Sequence, residues 1–495
     1  MIYKKNILII LLLFPTFAFP QGFNKVWMLG TGGGFPTGKI EYTSNSYALF
    51  KQPYKMKYKG TQATICDANG NFLMSSNGVW IANSNNDTMV NGSGLNPGDN
   101  VNSFPNGLVD DYANIILPFP GDSNKYILFH HTDYYDGFSY SAREVFYTII
   151  DITLDSGRGA VISKNDTAFS DTLNWGLAAC KHANGRDWWI IASKHNSSIY
   201  YKILLTPNGI ESVSSQQMNV PVAWYNSSQP TFSKDGEKFI NTVYDSITHN
   251  SYLILFDFDR CSGLFLNSTN IQLTVNDFLF GASFSSNGQY IYACTSNIIY
   301  QVNSLTLNID TVAIYDGFCF PNNPWCTTFW DMYLAANGKI YITSGSAVMF
   351  IHEMNYPDSA DTACDVQQHS IFLDSIWNLR AVPNHPNYYL GRLQGSPCDT
   401  LQWAGINERE HDFRFRVYPN PVINNVLNIG YLLPQNKSGL FQIIDVNGKI
   451  VFQYTLPQWS NEQQLKLPQL ANGIYNATIL SDNKRNSKTI AIIKE

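Results

Sequence analysis

Between residues 23 and 400 a polar turn built on Asn-Gly or Asp-Gly is followed repeatedly by a short aromatic or apolar run. The pattern occurs at Cys66 to Met74, His182 to Ile191, Phe232 to Ile240, Phe284 to Tyr292 and Leu334 to Ile342. Gly185, Gly236, Gly288 and Gly338 are 51, 52 and 50 residues apart; the gap from Gly70 to Gly185 is about twice that and holds a variant unit, Pro118 to Phe129. Asn-Gly and Asp-Gly supply the positive backbone angles of a tight hairpin turn, and the run after each turn begins a buried strand. A further strand follows in most units, as at Ile199 to Leu205, Ser251 to Asp259 and Ile298 to Val302.

Four short strands per period of about 50 residues predict propeller blades, which bury their faces only against neighbouring blades. Residues 21–400 are therefore expected to form a seven-bladed β-propeller. The seventh blade is expected near Ile371 to Leu393, or completed by the strand Val26 to Leu29. A polar linker (401–412) separates this body from a small all-β domain (413–495) with the pattern of a β-sandwich. In that domain Val446-Asn447-Gly448 is a hairpin turn, with further strands at Gln463 to Leu467, Gly473 to Leu480 and Lys488 to Ile493. At the other end, Lys4 and Lys5 precede an apolar run from Ile7 to Phe14 that Pro15 interrupts. This predicts a signal peptide over 1–20 rather than a membrane span, which needs about 20 apolar residues.

The C-terminal segment contains VYPNP (Val417 to Pro421), VLNI (Val426 to Ile429), DVNGKIV (Asp445 to Val451), ANGIYNATI (Ala471 to Ile479) and KTIAIIK (Lys488 to Lys494). In order and spacing these resemble the type A sorting domain of the type IX secretion system, which exports proteins across the outer membrane of Bacteroidota. The matching positions are Tyr418, Pro419, Asn420 and Pro421, then Asp445, Gly448 and Lys449, then Leu470, Gly473, Ile474 and Tyr475. The resemblance implies recognition by the outer-membrane translocon, and a secreted or cell-surface location. The repeating units of the body resemble WD40-like and YVTN-like propellers of secreted Bacteroidota proteins, best at Phe284 to Tyr292.

Composition fits strands joined by polar turns: 29 Tyr, 30 Phe and 11 Trp accompany only 14% charged residues. A net charge of -6 with no basic run argues against nucleic acid as a partner. Eight cysteines in an exported chain suggest disulfides, and the local pairs Cys319–Cys326 and Cys364–Cys398 are expected.

Candidate chemistry in the body is sparse. His182, Arg186, Asp187 and Trp188 crowd one turn and are the candidate polar-ligand site, opposed by a purely structural reading in which the tryptophans are ordinary strand residues. His130 and His131, near Asp133 and Asp136, have ligand chemistry, but adjacent strand residues face opposite ways, so no metal is expected. The run Gly30 to Gly38 lacks a phosphate-loop ending and is expected to be a loop, and no cofactor is implied. No nucleophile elbow or zinc-protease helix is present. The expectation is a surface binding module for a glycan or a surface protein. An extracellular hydrolase acting in the propeller funnel and a structural component of the cell surface or gliding apparatus are the alternatives.

Overall fold

All six turn motifs form the hairpin between the first two strands of a set. Asp67 to Asn71 joins Ala63–Cys66 to Phe72–Ser76, and the Pro118 unit joins Asn114–Pro118 to Lys125–His130. The others join Ala178–Lys181 to Trp188–Ser193, Thr231–Phe232 to Lys238–Asp245, Ala282–Phe284 to Tyr290–Cys294 and Phe329–Leu334 to Ile340–Ser344. The turn chemistry is local: the Asp67 carboxylate accepts the N–H groups of Asn69 and Asn71 at 2.8 Å each, and Gly70 takes φ +88°.

The computed structural model describes residues 22–399 and 415–493, apart from 44–45, 136–139, 222–228, 321–324, 424, 432, 434–436, 458–461 and 483. The expected signal peptide (1–20) and linker (401–412) lie outside the described residues. Four separate four-stranded sheets cover Ala178 to Gln217, Thr231 to Val275, Ala282 to Ile314 and Phe329 to Phe372. A three-stranded sheet covers Val26 to Lys51. A nine-stranded sheet covers Ala63 to Leu173; its two sets of strands meet through one parallel pairing, Val90 with Ala160, and the short strand Asp133–Tyr135 is added beside Tyr140–Asp151. First strands lie side by side: Val26–Leu29 by Ala63–Cys66, Ala63–Cys66 by Asn114–Pro118, and Ala178–Lys181, Thr231–Phe232, Ala282–Phe284 and Phe329–Leu334 in succession. The body is thus an all-β propeller arrangement.

Aromatic side chains fill the spaces between sheets, which accounts for their abundance. Tyr200 of one sheet meets Phe239, Phe256 and Phe265 of the next, with ring centroids 5.1–6.3 Å apart. No described helix is long; the α-helices are Asp99–Ser103 and Leu154–Gly157.

The last unit differs from expectation. Val26–Leu29 opens its own sheet and makes no ladder with Phe329 to Phe372. Beyond Val366–Phe372 no strand forms as far as residue 399, so Ile371 to Leu393 is not a blade. The physical reason lies in Pro383 and Pro386, which have no N–H for a ladder, and in side-chain bonds that take the ladder's place.

Among the described residues the C-terminal domain has seven strands, from Phe415–Ile423 to Lys484–Ile492. Phe415–Ile423 pairs with Val426–Tyr431 near its start and, through Val422, with Ile492 near its end. Leu427, Ile429 and Leu465 from one half and Phe441, Ile443, Ala477, Ile479 and Ile490 from the other enclose one core.

Candidate functional site

The centre of the propeller is occupied by the chain's own segment 379–393. Its side chains bind the backbone in or next to the first strands of successive sheets. Asn384 Nδ2 donates to Leu177 O (2.8 Å), Tyr388 Oη to Ile116 O (2.9 Å) and Asn387 Nδ2 to Lys234 O (2.6 Å), while His385 Nε2 lies 2.6 Å from Thr64 O. Tyr333 Oη, from the last sheet, pairs with His385 Nδ1 at 2.8 Å, and Trp27 Nε1, from the first, donates to Ala381 O at 3.1 Å. Burial holds the His385 imidazole neutral, with its pKa down to about 4. First and last sheets are therefore joined through this segment.

At the end where the inner strands begin, here the mouth, four carboxyl groups meet. Asp110 and Asp111 precede Asn114–Pro118, Asp331 lies in Phe329–Leu334, and Asp133 follows Lys125–His130; all are buried. Asp110 Oδ2 accepts Thr132 Oγ1 (3.0 Å), the Asp133 N–H (3.2 Å) and Asn100 Nδ2 (3.2 Å). Asp111 Oδ2 accepts Trp330 Nε1 (3.3 Å) and Arg380 Nη1 (3.4 Å), and Trp175 Nε1 donates to Asp133 Oδ1. Arg380 sits 5.4 Å above the Trp330 ring, which stacks on Phe280 with centroids 3.7 Å apart.

Arg380 is paired with this buried group of four carboxyls, and their titration reflects the desolvated setting. Burial, with Asp111's charge beside it, pushes Asp110 up to about 6 despite its hydrogen bonds. Burial and the charge of Asp110 push Asp133 up to about 8. Asp331 lies well above the usual carboxylate range through burial and Asp111; Asp111 is raised by burial, and Arg380 opposes the rise.

Several polar atoms here have no protein partner: Asp111 Oδ1, Arg380 Nε, Asn378 Oδ1 and Ser344 Oγ. Ser344 belongs to the same place, since its carbonyl accepts the Arg380 N–H at 3.3 Å. Around the mouth stand exposed aromatics. Phe35 and Trp325 lie 5.0 and 5.3 Å from Trp377, and Tyr134 and Tyr135 project from the added strand beside Asp133. Among the described residues, the other well-exposed aromatics of the body are Phe50 and Phe372.

The opposite end carries the turns and, with them, the residues singled out from sequence. His182 Nε2 lies 2.9 Å from Cys261 O, and its Nδ1 accepts the Asn184 N–H at 3.1 Å. Asp187 takes Arg186 Nε at 2.7 Å and Asn184 Nδ2 at 2.7 Å; Trp188 is fully buried and donates to Pro118 O at 3.1 Å. The four are brought together, with their polar atoms turned to the protein. Beside them Arg260, 1% exposed, donates to Lys181 O (2.9 Å), His182 O (3.3 Å) and Gly391 O (2.6 Å).

The next residue corrects one expected disulfide. Cys319 and Cys326 are bonded, but Cys398 pairs with Cys261 and not with Cys364. Segment 379–393 carries Cys398 away from the sheet that holds Cys364, whose thiol stays buried and is pushed by burial to about 12. His130 and His131 differ in surroundings: His130 Nδ1 and Nε2 lie 2.7 Å from Asn96 Oδ1 and 2.9 Å from Thr148 Oγ1, while both ring nitrogens of the buried His131 lack a hydrogen-bond partner. Among the described residues no group of three metal ligands comes together. Sequence reading missed Asp110, Asp111, Asp331, Trp330 and Arg380. The available signal was position, since each acidic residue lies at or just before the first strand of a repeat.

In the C-terminal domain the Asp445 carboxylate accepts the N–H groups of Asn447 and Lys449 at 2.9 Å each, and Gly448 takes φ +81°. Pro419 and Pro421 leave gaps in the donor row that the Asn420 side chain fills, giving a bond to Thr489 O (3.0 Å) and accepting the Ala491 N–H (2.8 Å). Leu470 and Tyr475 are buried in the domain's core, Tyr475 Oη donates to Ala471 O at 2.9 Å, and Ile474 is 62% exposed. The family described as the secretion system C-terminal sorting domain matches residues 416–494. Residues 416–494 are a sorting domain.

The sorting domain directs the protein across the outer membrane to the cell surface, through handling by the secretion translocon. No helix among the described residues is long and apolar enough to cross a membrane. No curated protein matches the chain. Solved structures similar to it include a protein described as a 6-phosphogluconolactonase from Bacteroides uniformis, at 11% identity and TM-score 0.41, covering 71% of this chain and 97% of that one. The periplasmic gluconolactonase of Pseudomonas aeruginosa is similar at 9% identity and TM-score 0.34, over 90% of this chain and 99% of that one. A protein described as TolB from Agrobacterium tumefaciens is similar at 14% identity and TM-score 0.32, over 55% and 85%.

Proposed function

We propose that this is an extracellular binding module that engages its ligand at the channel mouth, with the sorting domain serving delivery alone. The observation that carries this is the contrast in hydrogen bonding. The mouth keeps buried donors and acceptors without protein partners, and buried polar groups ordinarily have partners. The body is read as seven-bladed: the nine-stranded sheet divides at its single parallel pairing, and the three-stranded sheet counts as a blade with segment 379–391 beside it. The leader over 1–20 is read as the signal for the first membrane. Whether the delivered protein is anchored or released is open to fractionation of medium and cells.

A hydrolase is the second reading, favoured by the raised pKa values of Asp110 and Asp133, since a carboxyl protonated near neutral pH can act as a general acid. Incubating the purified full chain with polysaccharides, peptides and sugar lactones separates the two. Binding without turnover is the expected result. Turnover abolished by Asp133→Asn would overturn the binding-only reading. Deleting 413–495 tests delivery separately: the truncated protein should stay inside the outer membrane.

A further inference from the structure

Building on the mouth as a binding site, we infer that its ligand is the end of a neutral saccharide, held by Asp111, Asn378 and Arg380 and flanked by the aromatic rim. Four of the unpartnered groups at this end bear on what would satisfy the site. Asp111 Oδ1 and Asn378 Oδ1 accept only, Arg380 Nε donates only, and Ser344 Oγ does either. Asp111, Asn378 and Ser344 are each no more than 2% exposed, so each gains from a partner that replaces water.

Simple ligand classes satisfy part of this set. A bare cation answers the two acceptors, but leaves Arg380 Nε unpaired beside a second positive charge, and no three-ligand cluster exists among the described residues. An ammonium group has the same defect. A fully ionised phosphate or a carboxylate answers Arg380 Nε, yet brings no proton for Asp111 Oδ1 and Asn378 Oδ1. A pair of neighbouring sugar hydroxyls both donates and accepts, so it can give protons to Asp111 Oδ1 and Asn378 Oδ1 while receiving one from Arg380 Nε.

The rim supplies the remaining part. Phe35 is 42% and Trp325 39% exposed, both packed on Trp377, three residues before Arg380. Exposed ring faces match the C–H face of a pyranose, which is apolar between its hydroxyls. Segment 379–393 is hydrogen-bonded to Thr64, Ile116 and Leu177, and a saccharide meeting the site from the rim presents a chain end.

The test uses the full chain on a printed array of neutral oligosaccharides, uronate-containing oligosaccharides, peptides and alkylamines. The expected result is capture on neutral saccharides, at least tenfold weaker for Asp111→Asn and for Trp325→Ala, both with unchanged melting temperature. Trp325 is exposed on a loop, so its replacement keeps the test valid if Asp111→Asn fails to fold. Blank saccharide spots, or capture favouring uronates, overturn the inference. Capture of peptides or amines alone, lost in both variants, overturns the saccharide while leaving the mouth as the site. Saccharide capture indifferent to both variants overturns site and ligand together. An ordered water network on Asp111 Oδ1 and Arg380 Nε, with a blank array, also overturns both.

Discussion

At the turn end of the channel, Arg260 gives its guanidinium to the carbonyls of Lys181, His182 and Gly391, and a disulfide fixes the neighbouring residue. At the mouth, Arg380 holds one oxygen of Asp111 at 3.4 Å, while its own Nε and the other oxygen have no protein partner. Both ends combine arginine, aspartate and tryptophan. A saturated polar cluster fixes structure; an unsaturated one stores interaction for something else. Crowding of titratable residues in sequence therefore singled out the cluster whose polar atoms are turned to the protein, because proximity along the chain says nothing about saturation.

The comparison breaks first at the disulfides. Cys398→Ser opens a loop of 137 residues and should cost about 5 kcal/mol, against about 2 kcal/mol for Cys326→Ser in its loop of 7. Urea denaturation of both variants measures the difference, and equal losses would mean that the channel segment holds without its tether. Arg260→Ala strands the carbonyls of Lys181, His182 and Gly391 and should cost roughly 3 to 5 kcal/mol, leaving ligand capture unchanged in whatever fraction folds.

The mouth should respond to pH. Asp133 titrates near 8 when folded and near 4 when unfolded, so the folded chain holds the proton more tightly in between. Stability conferred on wild type relative to Asp133→Asn is accordingly highest at low pH and falls as pH rises from about 4 to about 8. Urea titrations of both proteins at pH 5, 7 and 8.5 check this, and the difference cancels the opposing contributions of His131 and Lys181, whose pKa values burial lowers to about 4 and about 7. The smallest effect belongs to Asp111→Asn. Burial raises the Asp111 pKa in spite of Arg380, so neutralising it should leave stability at pH 7 within about 1 kcal/mol of wild type, measured by thermal melts.

Much of the fold was legible. Asp67 to Asn71 and Asp445 to Lys449 form the same turn in two different domains, each closed by one carboxylate within five residues. The last unit was not legible, because Leu379 to Leu393 resembles a strand in composition yet spends its polar side chains on carbonyls of other sheets. The pairing of Cys398 was hidden for the same reason: the route of that segment decides it.

By itself the sequence determined the repeating hairpins, the all-β body and the sorting domain, since each depends on turn chemistry or a strand pattern acting over a few residues. Only the tertiary structure decided the mouth. Trp330 and Arg380 reach Asp111 across 219 and 269 residues of chain, and the bond from Cys261 spans 137. Such meetings depend on how the sheets close around the centre, and whether a buried oxygen finds a partner there is settled only when every neighbouring segment is in place.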